Sequence, residues 1–151
     1  MRDATDPDQL QHRKQGLRAM TFARTNFVAL DHVQVAIPPG AEAKARAFYV
    51  DVLGMMELAK PVSLAGRGGA WFAGGDGGAV QIHCGVEEDF RPARKAHPSV
   101  LVIGIDELAE RIEESGGAVE WSDDLEGLRR FFCHDPFGNR LEFIGSIEDD
   151  M

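Results

Sequence analysis

The chain reads as an α+β protein built from two tandem βαβββ modules that together form a cupped mixed sheet. Three observations predict this. Residues 30–37 (LDHVQVAI) alternate with a period of two, as a half-buried strand does, and are followed by an amphipathic helix and three short strands. After a charged, proline-containing stretch the same order of elements restarts. The halves also keep register: seven positions separate Asp76 from His83, and seven separate Asp135 from Glu142.

Each element has its own signal. In 30–37, Val33, Val35 and Ile37 share one face and His32, Gln34 and Ala36 the other. Pro38-Pro39-Gly40 breaks the ladder. Over 41–53, Ala45, Phe48, Tyr49, Val52 and Leu53 recur at helical spacing, an apolar stripe able to cover the Val33/Val35/Ile37 face, with Gly54 as its C′ residue. A short strand is expected within 55–64, a turn at 66–69, strands at 70–73 and 79–84, and a tight turn at Asp76-Gly77-Gly78. Residues 85–96 (GVEEDFRPARKA) form a linker. In the second half, 97–103 is a strand, and Ile105, Leu108, Ala109 and Ile112 mark a helix ending at Ser115-Gly116-Gly117. Strands then fall at 118–121, 128–133 and 139–144, with Asp135-Pro136-Phe137-Gly138 as a turn. The domain plan is an arm at 1–26, one domain at 27–146 (module one 27–84, linker 85–96, module two 97–146) and an acidic tail at 147–151. The arm holds His12 and shows no strong apolar face, which predicts a loosely docked segment.

Bulk properties narrow the function classes. At 151 residues the chain is one domain with a real core, and 44% hydrophobic with 27% charged residues is an ordinary globular balance. A net charge of −9 speaks against nucleic acid, which needs a basic footprint. No apolar run reaches membrane-spanning length and no signal-peptide core is visible, so no membrane partner and a cytoplasmic location are expected. Cys84 and Cys133 form neither a disulfide framework nor a CxxC site and read as small buried hydrophobes.

Duplication pairs His32 with His97 and His83 with Glu142. On the alternation, these four share strand faces with Gln34, Gln81, Ser99 and Arg140, which are the candidate substrate-pocket residues. If each helix covers one side of its sheet, the polar side chains meet on the other. Imidazole and carboxylate are ligands that Zn²⁺, Fe²⁺, Mn²⁺, Co²⁺ and Ni²⁺ accept. His32, His97 and Glu142 are therefore candidate metal ligands, with His83 as a fourth ligand or a hydrogen-bonding pocket residue. The bland alternative is a polar, metal-free pocket. Trp71, Phe72, Phe131 and Phe132 read as core, with those on the polar side able to line an apolar pocket. Tyr49 reads as structural, His134 as a turn or surface residue, and Arg91, Arg94 and Lys95 as a solvated loop with an anion-binding alternative.

The segments LDHVQVAIP, FYVDVLGM, QIHCGVE, AHPSVLVIGIDELAERIEESGG and FFCHDPFGNRLEFIG resemble the vicinal oxygen chelate superfamily over about 28–146. That superfamily takes in glyoxalase I, extradiol dioxygenases, methylmalonyl-CoA epimerase, fosfomycin-resistance transferases and bleomycin-resistance proteins. The resemblance implies a metal at His32, His97 and Glu142, inside a cup of two modules. His83 stands where glyoxalase I has a glutamate and the epimerase a glutamine. The resemblance also implies a homodimer acting on a small molecule, by partner contacts or module exchange through the linker. The implied function is a glyoxalase-like lyase, isomerase or transferase that uses a divalent metal as Lewis acid on adjacent substrate oxygens, with Glu142 or a metal-bound water as catalytic base. Two further functions fit the same resemblance. One is a bleomycin-resistance-type protein that sequesters a ligand without metal or turnover. The other is an extradiol-type dioxygenase using Fe²⁺.

Overall fold

The computed structural model describes residues 27–146; the expected arm, with His12, and the acidic tail lie outside them. Module one runs β1 (Val33–Ile37), α1 (Glu42–Arg46), β2 (Met56–Leu58), β3 (Ala70–Gly74) and β4 (Val80–Val86). Module two runs β5 (Ser99–Leu101), α2 (Ile105–Glu114), β6 (Glu120–Ser122), β7 (Leu128–His134) and β8 (Arg140–Ser146). Each module makes its own four-stranded mixed sheet, ordered β1-β4-β3-β2 and β5-β8-β7-β6. In both sheets the outermost pair is parallel and the rest antiparallel. The duplication read from the sequence is thus a duplication of topology.

The two helices show how the apolar stripes are used. In α2, Ile105, Leu108, Ala109 and Ile112 are all buried, as their spacing requires. Gly145 on β8 lets the helix approach, since a Cβ there would sit 2.9 Å from the Ile105 side chain. The first helix is not uniform over 41–53 as its spacing suggests. After Arg46 it widens into a π-helical stretch, Ala47–Val52, in which the Leu53 amide reaches back to the Phe48 carbonyl at 2.9 Å. Phe48 and Tyr49, adjacent in sequence, are both buried, and Tyr49 stacks on Phe72 of β3 with ring centroids 5.0 Å apart. A wider turn seats two neighbouring rings on one interior, a demand set by packing that local propensity does not carry.

Inward-facing residues of both modules join a single core. Ile37, Tyr49, Phe72, Ile82 and Cys84 from the first meet Ile105, Ile112, Phe131, Cys133 and Phe143 from the second. Cys84 and Cys133 are free, buried thiols, as expected, and burial pushes each up to about 12.

A polar knot ties the modules together at the Asp135 turn. The Asp135 carboxylate accepts from the backbone amides of Phe137 and Asn139 (2.9 Å each), from the Asn139 side chain (2.8 Å) and from the Tyr49 hydroxyl (2.9 Å). The Asn139 amide nitrogen also donates to the Ala36 carbonyl on β1 at 2.8 Å. Burial, reinforced by the Asp135 charge, holds the Tyr49 hydroxyl well above its ordinary pKa, so it stays a donor. Every contact here is satisfied, which is the condition for a buried polar group to stabilise.

Candidate functional site

Because Ile82, Cys84, Phe131, Cys133, Leu141 and Phe143 point into the core, their strand neighbours point away from it. Register then sets the rows. In module one Gln34 lies beside His83, and His83 beside Trp71. In module two Ser99 lies beside Glu142, and Glu142 beside Phe132. His32 and His97 precede β1 and β5 at matching places. The predicted face-sharing of His32, Gln34, Gln81 and His83, and of His97, Ser99, Arg140 and Glu142, is present in this geometry.

The four candidate ligands do not gather at one point of the chain. Among the described residues no group of three or more His, Cys, Asp or Glu side chains is placed to hold a metal ion. They form two pairs instead. His97 Nε2 lies 3.2 Å from Glu142 Oε2 in module two. His32 and His83 stack in module one, with centroids 4.0 Å apart and planes within 12°.

The His97–Glu142 pair is held in a telling way. His97 Nδ1 lies 2.7 Å from the Lys95 carbonyl, which only accepts, so the proton sits on Nδ1. Nε2 then turns toward a carboxylate. That is favourable when Nε2 carries a second proton, or when a cation takes the place of that proton. The same logic applies to His32, whose Nδ1 meets Asp31 Oδ2 at 2.8 Å, leaving Nε2 for a ligand. An acceptor behind Nδ1 is the usual way a metal-binding histidine is oriented. At Glu142, burial opposes the charge, but hydrogen bonds from Ser99 and His97 and the charges of His97 and Arg130 outweigh it and lower the pKa. The carboxylate is thus kept ionised, the form that ligates.

His83 has a different setting. It is 2% exposed and lies between two rings, with Trp71 on its other side at 4.1 Å and 6°. Its Nε2 meets Gln81 Oε1 at 3.2 Å, the hydrogen-bonding pocket arrangement. Gln81 in turn reaches the Gly78 carbonyl at 3.4 Å. Gln34 is exposed at the rim.

Arg130 was not singled out from the sequence, yet it is central to the module-two face. Its guanidinium donates to Glu142 Oε1 (3.2 Å), Ser122 Oγ (2.8 Å) and Asp124 Oδ2 (3.2 Å). The Phe132 ring carries two cations, with the Arg140 guanidinium 4.0 Å and that of Arg130 5.1 Å from its centroid. The signal was available: on β7, Phe131 and Cys133 are the core side, so the alternate residues Arg130 and Phe132 fall beside Glu142. The other expected roles hold in the structure: Phe72 and Phe131 are core, Tyr49 is buried, and His134 is exposed beside the turn.

Duplicated βαβββ modules, with a histidine opening each and a carboxylate on the last strand, define a class. The chain belongs to the Glyoxalase/Bleomycin resistance protein/Dioxygenase superfamily, whose profile matches residues 29–143. A crystal structure of a protein assigned to the glyoxalase family from Bacillus anthracis is 44% identical, with a TM-score of 0.76, over 82% of this chain and 98% of that one. A fosfomycin-resistance protein, FosX, from Listeria monocytogenes shares the fold at 15% identity (TM-score 0.63; 83% and 100% covered). So does TnmS3, an antibiotic-binding protein from Streptomyces sp. CB03234, at 23% identity (TM-score 0.56; 80% and 99% covered). An E126Q form of the Listeria protein was solved as a complex with Mn(II) and 1S,2S-dihydroxypropylphosphonic acid, and at 18% identity its likeness is again one of fold (TM-score 0.63; 83% and 98% covered). A search of curated proteins gives no match. No helix among the described residues is long and apolar enough to cross a membrane.

Proposed function

We propose that this protein is a divalent-metal-dependent enzyme of the glyoxalase kind, a lyase, isomerase or transferase acting on a small molecule with adjacent oxygens. The observation that carries this reading is His97 Nε2 facing Glu142 Oε2 at 3.2 Å while Nδ1 is held by a carbonyl. The donor set fits Zn²⁺, Ni²⁺, Mn²⁺, Fe²⁺ or Co²⁺. His97 and Glu142 supply two ligands, and His32 of a second copy of the chain supplies the third. Support for the second copy is that the chain presents two half-sites on separate sheets and joins them nowhere among its described residues. The assembly is then a homodimer whose two sites are shared.

A bound divalent ion would supply Lewis acidity toward the two substrate oxygens. The chain's residues do the rest. Glu142 would take a substrate proton at Oε2. Arg130 holds Oε1 and so keeps the carboxylate in place as Oε2 takes the proton. Gln34 and Ser99 offer neutral hydrogen bonds around the substrate, and Trp71, backed by the buried His83 that Gln81 holds, lends the pocket an apolar ring. His83 belongs to that backing and not to the ligand set.

The test is elemental analysis of the purified chain after reloading with Zn²⁺, Ni²⁺, Mn²⁺ or Fe²⁺. About one ion per chain is expected. His32→Ala and Glu142→Ala should each lose it, and mixing the two variants should restore about a quarter of the sites, the share of intact sites in random two-fold pairing. No restoration would refute the shared site. Retained metal would justify screening hemithioacetals, epimerisable acyl thioesters and fosfomycin. The stacked Trp71–His83–His32 wall favours a second reading, a protein that sequesters a planar ligand; stoichiometric ligand binding with no retained metal would establish it.

A further inference from the structure

The uncommitted charge on the module-two face lies at Arg140. Its guanidinium rests on Phe132 at 4.0 Å and, among the described residues, its side chain has no hydrogen bond or ion pair. Arginine does not shed its proton, so a half-buried guanidinium with only a ring beneath it is a cation awaiting a counter-ion. In a chain of net charge −9, carboxylates are plentiful, yet none among the described residues is set against it. Arg130 lies over the same ring, which puts the two guanidinium carbons within about 9 Å of each other. Two carboxylates, Glu142 and Asp124, already pair with Arg130, yet its Nε is buried without a partner among the described residues. Next to Arg140 opens a cleft of about 420 Å³ whose polar lining is Gln34, Glu87, Arg91, His97, Asn139 and Arg140. Its cations outnumber its one carboxylate, and His97 joins it to the Glu142 pair.

We propose that Arg140, seconded by Arg91 in the same cleft, is an oxyanion subsite, so that the substrate is a small molecule carrying a carboxylate, phosphonate or phosphate next to its adjacent oxygens. This names the substrate class for the site above and rests on that reading for the word substrate, but the anion's binding does not require the metal. The arginine fork matches an oxyanion's geometry and makes charge-assisted hydrogen bonds that a neutral ligand cannot make. A bound anion would also offset the positive charge that a divalent ion adds beside Arg130 and Arg140.

The experiment is titration calorimetry on the full chain, stripped with chelator and separately reloaded with Mn²⁺. The probes are methylphosphonate, acetate and the uncharged dimethyl methylphosphonate. Methylphosphonate or acetate should bind the stripped protein and the neutral ester should not. Arg140→Gln should weaken the anion roughly tenfold or more, and Arg140→Lys should recover part of the loss. Among the described residues the Arg140 guanidinium holds only the Phe132 ring, so the variant should melt within about 4 °C of the parent. Whichever anion binds tighter tells a planar carboxylate from a tetrahedral dianion. Equal binding by parent and Arg140→Gln overturns the subsite, as does no binding to either form of the parent. Failure of the metal reading looks different: Mn²⁺ changes nothing while the Arg140→Gln loss remains.

Discussion

Module one turns His32, Gln34, Gln81, His83 and Trp71 away from the core, and module two turns His97, Ser99, Arg130, Phe132, Arg140 and Glu142. Strand order, pairing sense and the place of the leading histidine are the same in both. The inward faces are alike too, apolar with one thiol each. The outward faces, by contrast, differ. One is a stack of rings beside two amides; the other is a network of arginines around a carboxylate. Duplication therefore repeats what packing demands and leaves chemistry free to diverge. Brought face to face in a dimer, the two surfaces would give one pocket with a flat wall and a charged wall.

The largest effect that could break this division of labour is on metal retention. Glu142→Gln, which keeps the side chain's size, and His97→Ala should each weaken binding about a thousandfold, one ligand's share of a structural metal's affinity. His83→Ala should leave stoichiometry unchanged in elemental analysis after gel filtration. If His83→Ala also empties the site, the wall is a ligand and the contrast between modules fails.

Next comes the knot that fixes the two faces relative to each other. Asp135→Ala leaves the Tyr49 hydroxyl, the Asn139 amide and two backbone N–H groups short of an acceptor. A loss of about 3 kcal/mol is expected in urea denaturation. Tyr49→Phe removes one of these donors and should cost about 1 kcal/mol. A smaller effect tests whether His32 is oriented for a ligand. Asp31→Ala should weaken metal about tenfold.

How much of this was legible beforehand follows from which interactions are local. Alternation at Val33, Val35 and Ile37, helical spacing from Ile105 to Ile112, and the seven-residue intervals all lie within single segments or repeat between them. They carried the architecture and the face on which each candidate residue stands. The splitting of the candidate ligands into two pairs depends on how the modules pack, and no segment encodes that alone. The π-helical stretch arises for the same reason, from Phe48 and Tyr49 sharing an interior supplied by distant strands. Arg130 was hidden by its neighbour: of the adjacent pair Arg129 and Arg130, only strand phase says that the second faces Glu142. The Lys95 carbonyl behind His97 was beyond reach, because a main-chain acceptor leaves no mark on the residue type that carries it.

The smallest predicted effect sharpens the likeness of the inward faces. Cys84 belongs to module one and Cys133 to module two, and burial, with the Asp135 charge, raises both thiols from an ordinary value near 9 to about 12. A group whose pKa is raised on folding favours the folded state below its unfolded pKa, because the proton it must keep is then kept in both states. Above pH 9 the unfolded thiols ionise and the folded ones do not, so stability is lost progressively up to about pH 12. At pH 10 the loss should be about 1 kcal/mol per thiol relative to pH 8. Cys84→Ala and Cys133→Ala should each flatten the urea-measured stability between pH 8 and 10 by the same amount, whatever they cost at pH 8. Unequal flattening would mean that the two interiors differ as their outward faces do, and that the shared core is less symmetric than its topology.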